Sequence, residues 1–247
     1  MRELILLISI FLVPGAIKVF KDGLLLMVHP SFYWQWMFAG FLLGSVLYRL
    51  VRHRSYSWEV FEHELTHAFM ALLFFRRITR FVVTRREGGY VQHSGGFSGE
   101  LGDHLIGLAP YFLPTFSFIL GFAYPMAPYS WKKWMLLAIG FTLAYHTFST
   151  IRETIENWNM EPFRQARTGR WVLSDIGRRG YFFSGIIIFS FTLLTHSIIF
   201  WLVRYGYAGL IPWFKILWQT GVVFYVALYH KLLIILRFLT HQLHSLF

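Results

Sequence analysis

The sequence predicts an all-α, polytopic membrane protein with about seven transmembrane helices and a small β-hairpin. Composition leads there first: 56% of the residues are hydrophobic and only 14% are charged. Soluble domains carry about 25% charged residues, and several apolar runs here approach the roughly 20 residues that cross a bilayer. The third observation is where the cations sit. A formal net charge of +11 could suggest a nucleic-acid partner. The basic residues lie at run ends and in short loops, however, where membrane orientation and anionic headgroups call for them. The expected partner is therefore the lipid bilayer, with no nucleic acid. Cysteine is absent, which excludes disulfides and thiolate catalysis and leaves histidine and carboxylates as metal ligands. No soluble domain, repeat or low-complexity linker interrupts the chain, so residues 1–247 read as a single integral membrane domain.

Residues 3–20, ELILLISIFLVPGAIKVF, could be a signal peptide or a first membrane helix. Arg2 supplies one positive charge, but no A-x-A-like cleavage site follows, which favours an uncleaved helix kinked near Pro14 and Gly15. A second span covers residues 32–51, with Trp34 and Trp36 as interfacial anchors and Arg49, Arg52 and Arg54 at its end. Gly40 and Gly44 form a small-x-x-x-small face suited to helix packing.

Residues 58–77, WEVFEHELTHAFMALLFFRR, are long enough to cross a bilayer, yet carry Glu59, Glu62, His63, Glu64 and His67. Ionisable groups inside a membrane segment are costly and mark a functional interior rather than a lipid face. His63, Glu64 and His67 read H-E-x-x-H, which places both imidazoles on one helix face, one turn apart. Two neutral imidazoles can take two corners of a zinc tetrahedron, with a third ligand from elsewhere and water in the open position. Glu64 can accept a proton from that water. The alternative is a polar helix start in which the glutamates favour the helix dipole and the histidines merely pack. Chance matches to the motif amount to roughly 0.02 in a chain of this composition, which favours the metal site.

Beyond Arg76, Arg77 and Arg80, residues 81–84 have β-forming character, Glu87-Gly88-Gly89 reads as a turn, and residues 90–92 can return as a short strand. Residues 101–126 are apolar but interrupted by Pro110 and Pro114, with Gly107 nearby. A broken helix leaves carbonyls unpaired, tolerable in a membrane only against protein or a water-filled cavity, so this break is a candidate water path. A plain proline kink is the simpler reading. Residues 131–155 form the next span and contain His146; Arg152, Glu153 and Glu156 mark its end. Residues 157–180 are the longest polar stretch and hold Asp175, which alone could simply cap a helix. The last spans cover residues 181–203 and 211–236, where His196 and His230 read as packed or interfacial.

HELTH inside a hydrophobic helix resembles the motif of site-2 protease-like intramembrane zinc metalloproteases, the M50 class, and among them its small bacterial-type, M50B-like members. ITRFVVTRREGGYVQHSGG resembles the β-hairpin after the motif helix in that group, LAPYFLPTF its proline-broken helix, and SDIGRRGYFFS the segment supplying an aspartate ligand. The likeness covers about residues 55–190, a metalloprotease-like core, and only HELTH is specific by itself. The N-x-x-P-x-x-x-x-D-G signature of many site-2 proteases is absent.

The resemblance implies a zinc cofactor held by His63, His67 and Asp175, with Glu64 as general base. His146 and Glu153 remain alternative third ligands. It also implies that the hairpin offers an edge strand to an extended substrate, a membrane-embedded or membrane-adjacent protein or peptide. The second reading is a non-catalytic metal-binding or metal-transporting membrane protein that retains HELTH. Transport would need ligands strung along a pore, and the other histidines form no obvious file. The cations orient the chain: the arginines from Arg76 to Arg86 and from Arg152 to Arg179 share one side with Lys18, Lys21, Lys231 and Arg237. That side is the cytoplasmic one, of a bacterial-type cytoplasmic membrane. The histidines then lie about 9–15 Å from the opposite surface, so Asp175 reaches them only if its loop dips inward.

Overall fold

The computed structural model describes residues 2–28, 32–51, 56–84, 88–96, 99–159, 164–165, 171–172 and 174–244. It is 87% helical. Helices α1 (Arg2–Val28), α2 (Phe32–Val51) and α3 (Tyr56–Leu73) precede an antiparallel hairpin of β1 (Arg77–Thr84) and β2 (Gly88–Ser94). Then come α4 (Gly99–Leu108), α5 (Thr115–Ala123) and α6 (Tyr129–Asn159). A two-residue ladder of β3 (Arg164–Gln165) and β4 (Trp171–Val172) leads to α7 (Asp175–Arg179), α8 (Tyr181–Tyr205) and α9 (Leu210–His244).

Glycine sets the closest helix contacts. A Cβ on Gly40 would fall 2.0 Å from the Leu137 carbonyl and one on Gly44 2.5 Å from that of Phe141, so the small face of α2 is what seats α6. Helix α1 runs uninterrupted through Pro14, and Gly15 instead allows close approach to Leu217 of α9. Ser190 and Trp201 of α8 donate to the carbonyls of Ser9 and Val19, so α1 and α8 are parallel. Leu217 and Tyr225 of α9 meet Gly15 and Ile10, so α9 is antiparallel to both. Helices α8 and α9 thus form a helical hairpin turned at Gly206–Gly209, and Trp213 Nε1 donates to Ser197 Oγ across it.

Helix α3 stops at Leu73, earlier than the apolar run suggested. The Arg76 amide donates to the Ala71 carbonyl and the Phe75 amide to that of Leu72, with Phe75 left-handed at φ 56°. This is a Schellman ending with phenylalanine where glycine is usual, at a cost of roughly 1–2 kcal/mol. It turns the chain directly into β1. Arg76, which ends the apolar run, is buried and pairs with Asp103 and the Gly99 carbonyl, fastening the hairpin to α4.

By length and apolarity, three helical stretches among the described residues can cross a membrane: Arg2–Met27, Tyr129–Trp158 and Tyr181–Arg237. A fourth arises if Gly99–Tyr111 and Thr115–Met126, bent by 94°, count as one span. Of the seven spans expected, three or four meet this measure among the described residues. Helix α3 is too rich in glutamate to qualify, and Tyr181–Arg237 counts once although α8 and α9 fold back on each other. Leu43, Val223 and Ile234 stand on outer faces with half or more of their surface exposed, as a lipid-facing wall requires and a water-facing one does not.

The 94° bend lies where Pro110 and Pro114 interrupt the apolar run. Carbonyls freed there find side chains: Thr195 Oγ1 donates to Phe112 at 2.7 Å and Thr150 Oγ1 to Pro110 at 3.4 Å. The break is thus satisfied by protein, as membrane depth demands. Leu105, Leu108, Phe112, Phe183 and Ile187 close around Ile176, so a buried apolar plug holds α7 in place.

Candidate metal centre

Helix α3 carries His63 and His67 one turn apart on its inner face, with Nε2 atoms 3.0 Å from each other. Asp175 Oδ2 lies 3.6 Å from each of them. The three ligand atoms all fall within 4.8 Å of one another. A triangle with sides 3.0, 3.6 and 3.6 Å has its centre about 2.0 Å from each corner, which is the zinc–ligand distance for imidazole and carboxylate. The donor set fits zinc in both chemistry and spacing.

Asp175 reaches the histidines because another residue caps its helix. Ser174 Oγ accepts the Gly177 amide at 3.1 Å, and Ile176 is fully buried in the plug beneath. The carboxylate is then free to turn inward, which the sequence left open. Burial acts to raise the Asp175 carboxyl, but the His63 and His67 imidazoles outweigh it and hold the group well below the usual carboxylate range. It stands ionised at neutral pH, the state a metal ligand needs.

The ring nitrogens that face away from Asp175 each have a polar neighbour, hydrogen-bonded in His67 and an ion-pair contact in His63. His67 Nδ1 lies 2.7 Å from the Ile106 carbonyl and must donate to it, since a carbonyl only accepts. In the neutral ring Nε2 then keeps the lone pair a metal needs. His63 Nδ1 lies 2.9 Å from Glu153 Oε1, and the Tyr111 ring packs edge-on against the imidazole. Glu153 thus meets the far side of His63 rather than joining Asp175. His146 sits elsewhere, buried with Nδ1 3.5 Å from Glu62 Oε1 and beside Thr150. Glu59 pairs with Arg152. The acidic start of α3 is bound to α6, away from the three ligand atoms.

Glu64 is buried, 7% exposed, on the side of α3 that faces the hairpin. A Cβ built on Gly89 would come 2.6 Å from Glu64 Cγ, so β2 lies directly over this side chain. Phe81 of β1 packs edge-on against Phe61 of α3. Seven residue pairs link the strands from Arg77–Ser94 to Thr84–Gly88, with an irregularity between Ile78 and Arg80. The hairpin is longer than the sequence suggested and rests against the motif helix; of the expected turn, Glu87 lies outside the described residues, while Gly88 and Gly89 belong to β2.

Four contributors escaped the sequence reading: the Ile106 carbonyl, Glu153 as a histidine partner, Gly89 over Glu64, and Arg179, 3.4 Å from Asp175 Oδ1. The only one with a local signal is Ile106, which stands four residues before Pro110 and so loses its helical partner.

The family model described as Peptidase M50B-like matches residues 36–160, which contain α3, the hairpin, the broken helix and all of α6. Asp175 and Arg179 lie beyond the match. Neither the curated proteins nor the solved structures gave a match. With half of the chain matched and HELTH within it, the protein belongs to the Peptidase M50B-like family of membrane peptidases.

Proposed function

We propose that this protein is a zinc-dependent intramembrane metallopeptidase of the site-2 protease type, with His63, His67 and Asp175 as metal ligands and Glu64 as general base. The observation that carries this reading is the approach of Asp175 to both histidines of HELTH from more than 100 residues away. A zinc ion held there supplies Lewis acidity, polarising a carbonyl and making water a nucleophile near neutral pH. Glu64 takes the proton from the attacking water and returns it to the leaving amine, so that one carboxylate serves both halves of the hydrolysis. The Ile106 carbonyl and Glu153 orient the two imidazoles.

The substrate is a membrane-embedded or membrane-adjacent protein segment. A helical peptide bond is shielded by its own hydrogen bonds, so the segment must be drawn out before it can be cut. The hairpin over Glu64 is suited to that, because its outer edge can take an added strand through main-chain hydrogen bonds. The parallel course of α1 and α8, with α9 against both, suits single crossings by α1, α2, α3, α6, α8 and α9, the bent α4–α5 pair returning to the side it entered from. The arginines between residues 152 and 179 favour α7 on the cytoplasmic side of a bacterial-type cytoplasmic membrane. Family membership favours a peptidase over a metal transporter.

The test is cleavage of a membrane-spanning model peptide by the purified protein in lipid vesicles. Activity should vanish on chelation and return with added zinc. Cleavage indifferent to chelation would contradict the proposal.

A further inference from the structure

Helix α4 and the turn after it end in Ile106-Gly107-Leu108-Ala109-Pro110. Two features of this short stretch bear on the ligands. Pro110 has no N–H, and its ring opposes the carbonyl four residues earlier. That carbonyl belongs to Ile106, which accepts His67 Nδ1 at 2.7 Å. With any other residue at 110, a backbone N–H would compete for the same oxygen.

The second feature is a notch. A Cβ on Gly107 would fall 1.7 Å from Arg179 Nη2 and 2.1 Å from its Cζ, so the guanidinium occupies space that only glycine leaves open. From that notch Nη2 donates to the Asp103 carbonyl at 2.9 Å. Nη1 donates to the Asp175 carbonyl at 3.0 Å and lies 3.4 Å from Asp175 Oδ1. One arginine thus ties α7 to α4 and occupies the carboxylate oxygen that does not face the histidines.

We propose that residues 106–110 are a positioning bracket for the metal centre: Pro110 frees the Ile106 carbonyl to orient His67, and Gly107 admits Arg179 to orient Asp175. Neither Pro110 nor Gly107 touches the metal; each acts through another residue. The inference rests on the metal-site reading above and adds how two of its three ligands are fixed. Partners of this kind are worth about 10–100-fold in metal affinity.

A bracket differs from a mere helix break in what each substitution should do. Pro114 shares the same bend, but its carbonyl four residues back is that of Pro110, which faces Thr150 rather than a ligand. Gly107→Ala need displace only the end of a flexible arginine side chain, which leaves the backbone in place. The experiment is titration of the purified, metal-free protein with Zn²⁺ alone, joined to the ¹⁵N resonances of His67 without metal.

Pro110→Ala and Gly107→Ala should each weaken zinc by about 10–100-fold, and Pro114→Ala should leave it unchanged. Arg179→Ala should match Gly107→Ala, and the double variant should be no weaker than either, because both act through one guanidinium. His67 should carry its proton on Nδ1 in the parent and lose that preference in Pro110→Ala. Parent-like affinity in Pro110→Ala and Gly107→Ala, an additive double variant, or equal loss in Pro114→Ala would each overturn the bracket. His63→Ala separates the levels. If it binds zinc like the parent, the metal-site reading falls and the bracket with it; if it loses zinc while the bracket variants bind normally, only the bracket falls.

Discussion

Gly89 of β2 lies so close to Glu64 of α3 that a methyl group on the glycine would reach within 2.6 Å of Glu64 Cγ. The same methyl would meet the Val82 carbonyl at 2.8 Å and Val60 Cγ1 at 2.9 Å, so it has no room to turn aside. The hairpin and the proposed general base are therefore set against each other by the lack of one side chain. Gly89→Ala must push strand or glutamate away. Because a misplacement of about 1 Å can cost about 10²-fold in rate, kcat should fall by that order while zinc content stays at the parent's level. Unchanged kcat would mean that the contact has no bearing on Glu64.

The strand-addition proposal makes a separate prediction on β1. Amides in an antiparallel pair alternate between the partner strand and the outer edge, so of the neighbours Val82 and Val83 one donates to β2 and the other points outward. Proline at the inward position should loosen the hairpin and lower thermal stability. Proline at the outward position should spare stability and zinc but reduce cleavage at limiting substrate, because a donor to the incoming strand is lost. If neither proline changes cleavage, substrates do not pair with this edge.

Glu153 and His146 are both polar residues of α6 near the motif helix, yet they should behave differently. Glu153→Ala removes the carboxylate 2.9 Å from His63 Nδ1 and should weaken zinc by about 10–100-fold. His146→Ala should keep zinc and instead lower the melting temperature, because buried Glu62 loses its neighbour. Zinc titration and thermal unfolding of the two variants side by side would distinguish them. Zinc loss in His146→Ala with retention in Glu153→Ala would reverse the roles assigned here.

What was legible in the sequence is what local geometry decides. His63 and His67 face the same way because residues four apart on a helix must, and the prolines at 110 and 114 break a helix wherever it packs. Gly40 and Gly44 marked a packing face in the same manner. The ending of α3 was not legible, since Phe75 takes a left-handed conformation that normally signals glycine. Nor was the division of labour between Glu153 and His146. Both stand on α6, and only the crossing of α6 with α3 decides which meets His63 and which meets Glu62. The span count suffered from the same limit. Residues 58–77 read as long enough to cross, but α3 ends at Leu73 and its glutamates keep it from qualifying by apolarity alone.

The central claim is that Asp175 completes a zinc site with His63 and His67, and that Glu64 acts upon it. Zinc affinity and peptide cleavage measured together on the parent, Asp175→Ala, Asp175→Asn and Glu64→Gln test it most directly. Asp175→Ala should lose zinc and cleavage together. Asp175→Asn should also bind zinc weakly, although asparagine is a good helix cap, because Ser174 already caps α7. Glu64→Gln should hold zinc at parental affinity and lose cleavage, since an amide cannot take the proton. Parental zinc affinity and cleavage in both Asp175 variants would contradict the account at its centre.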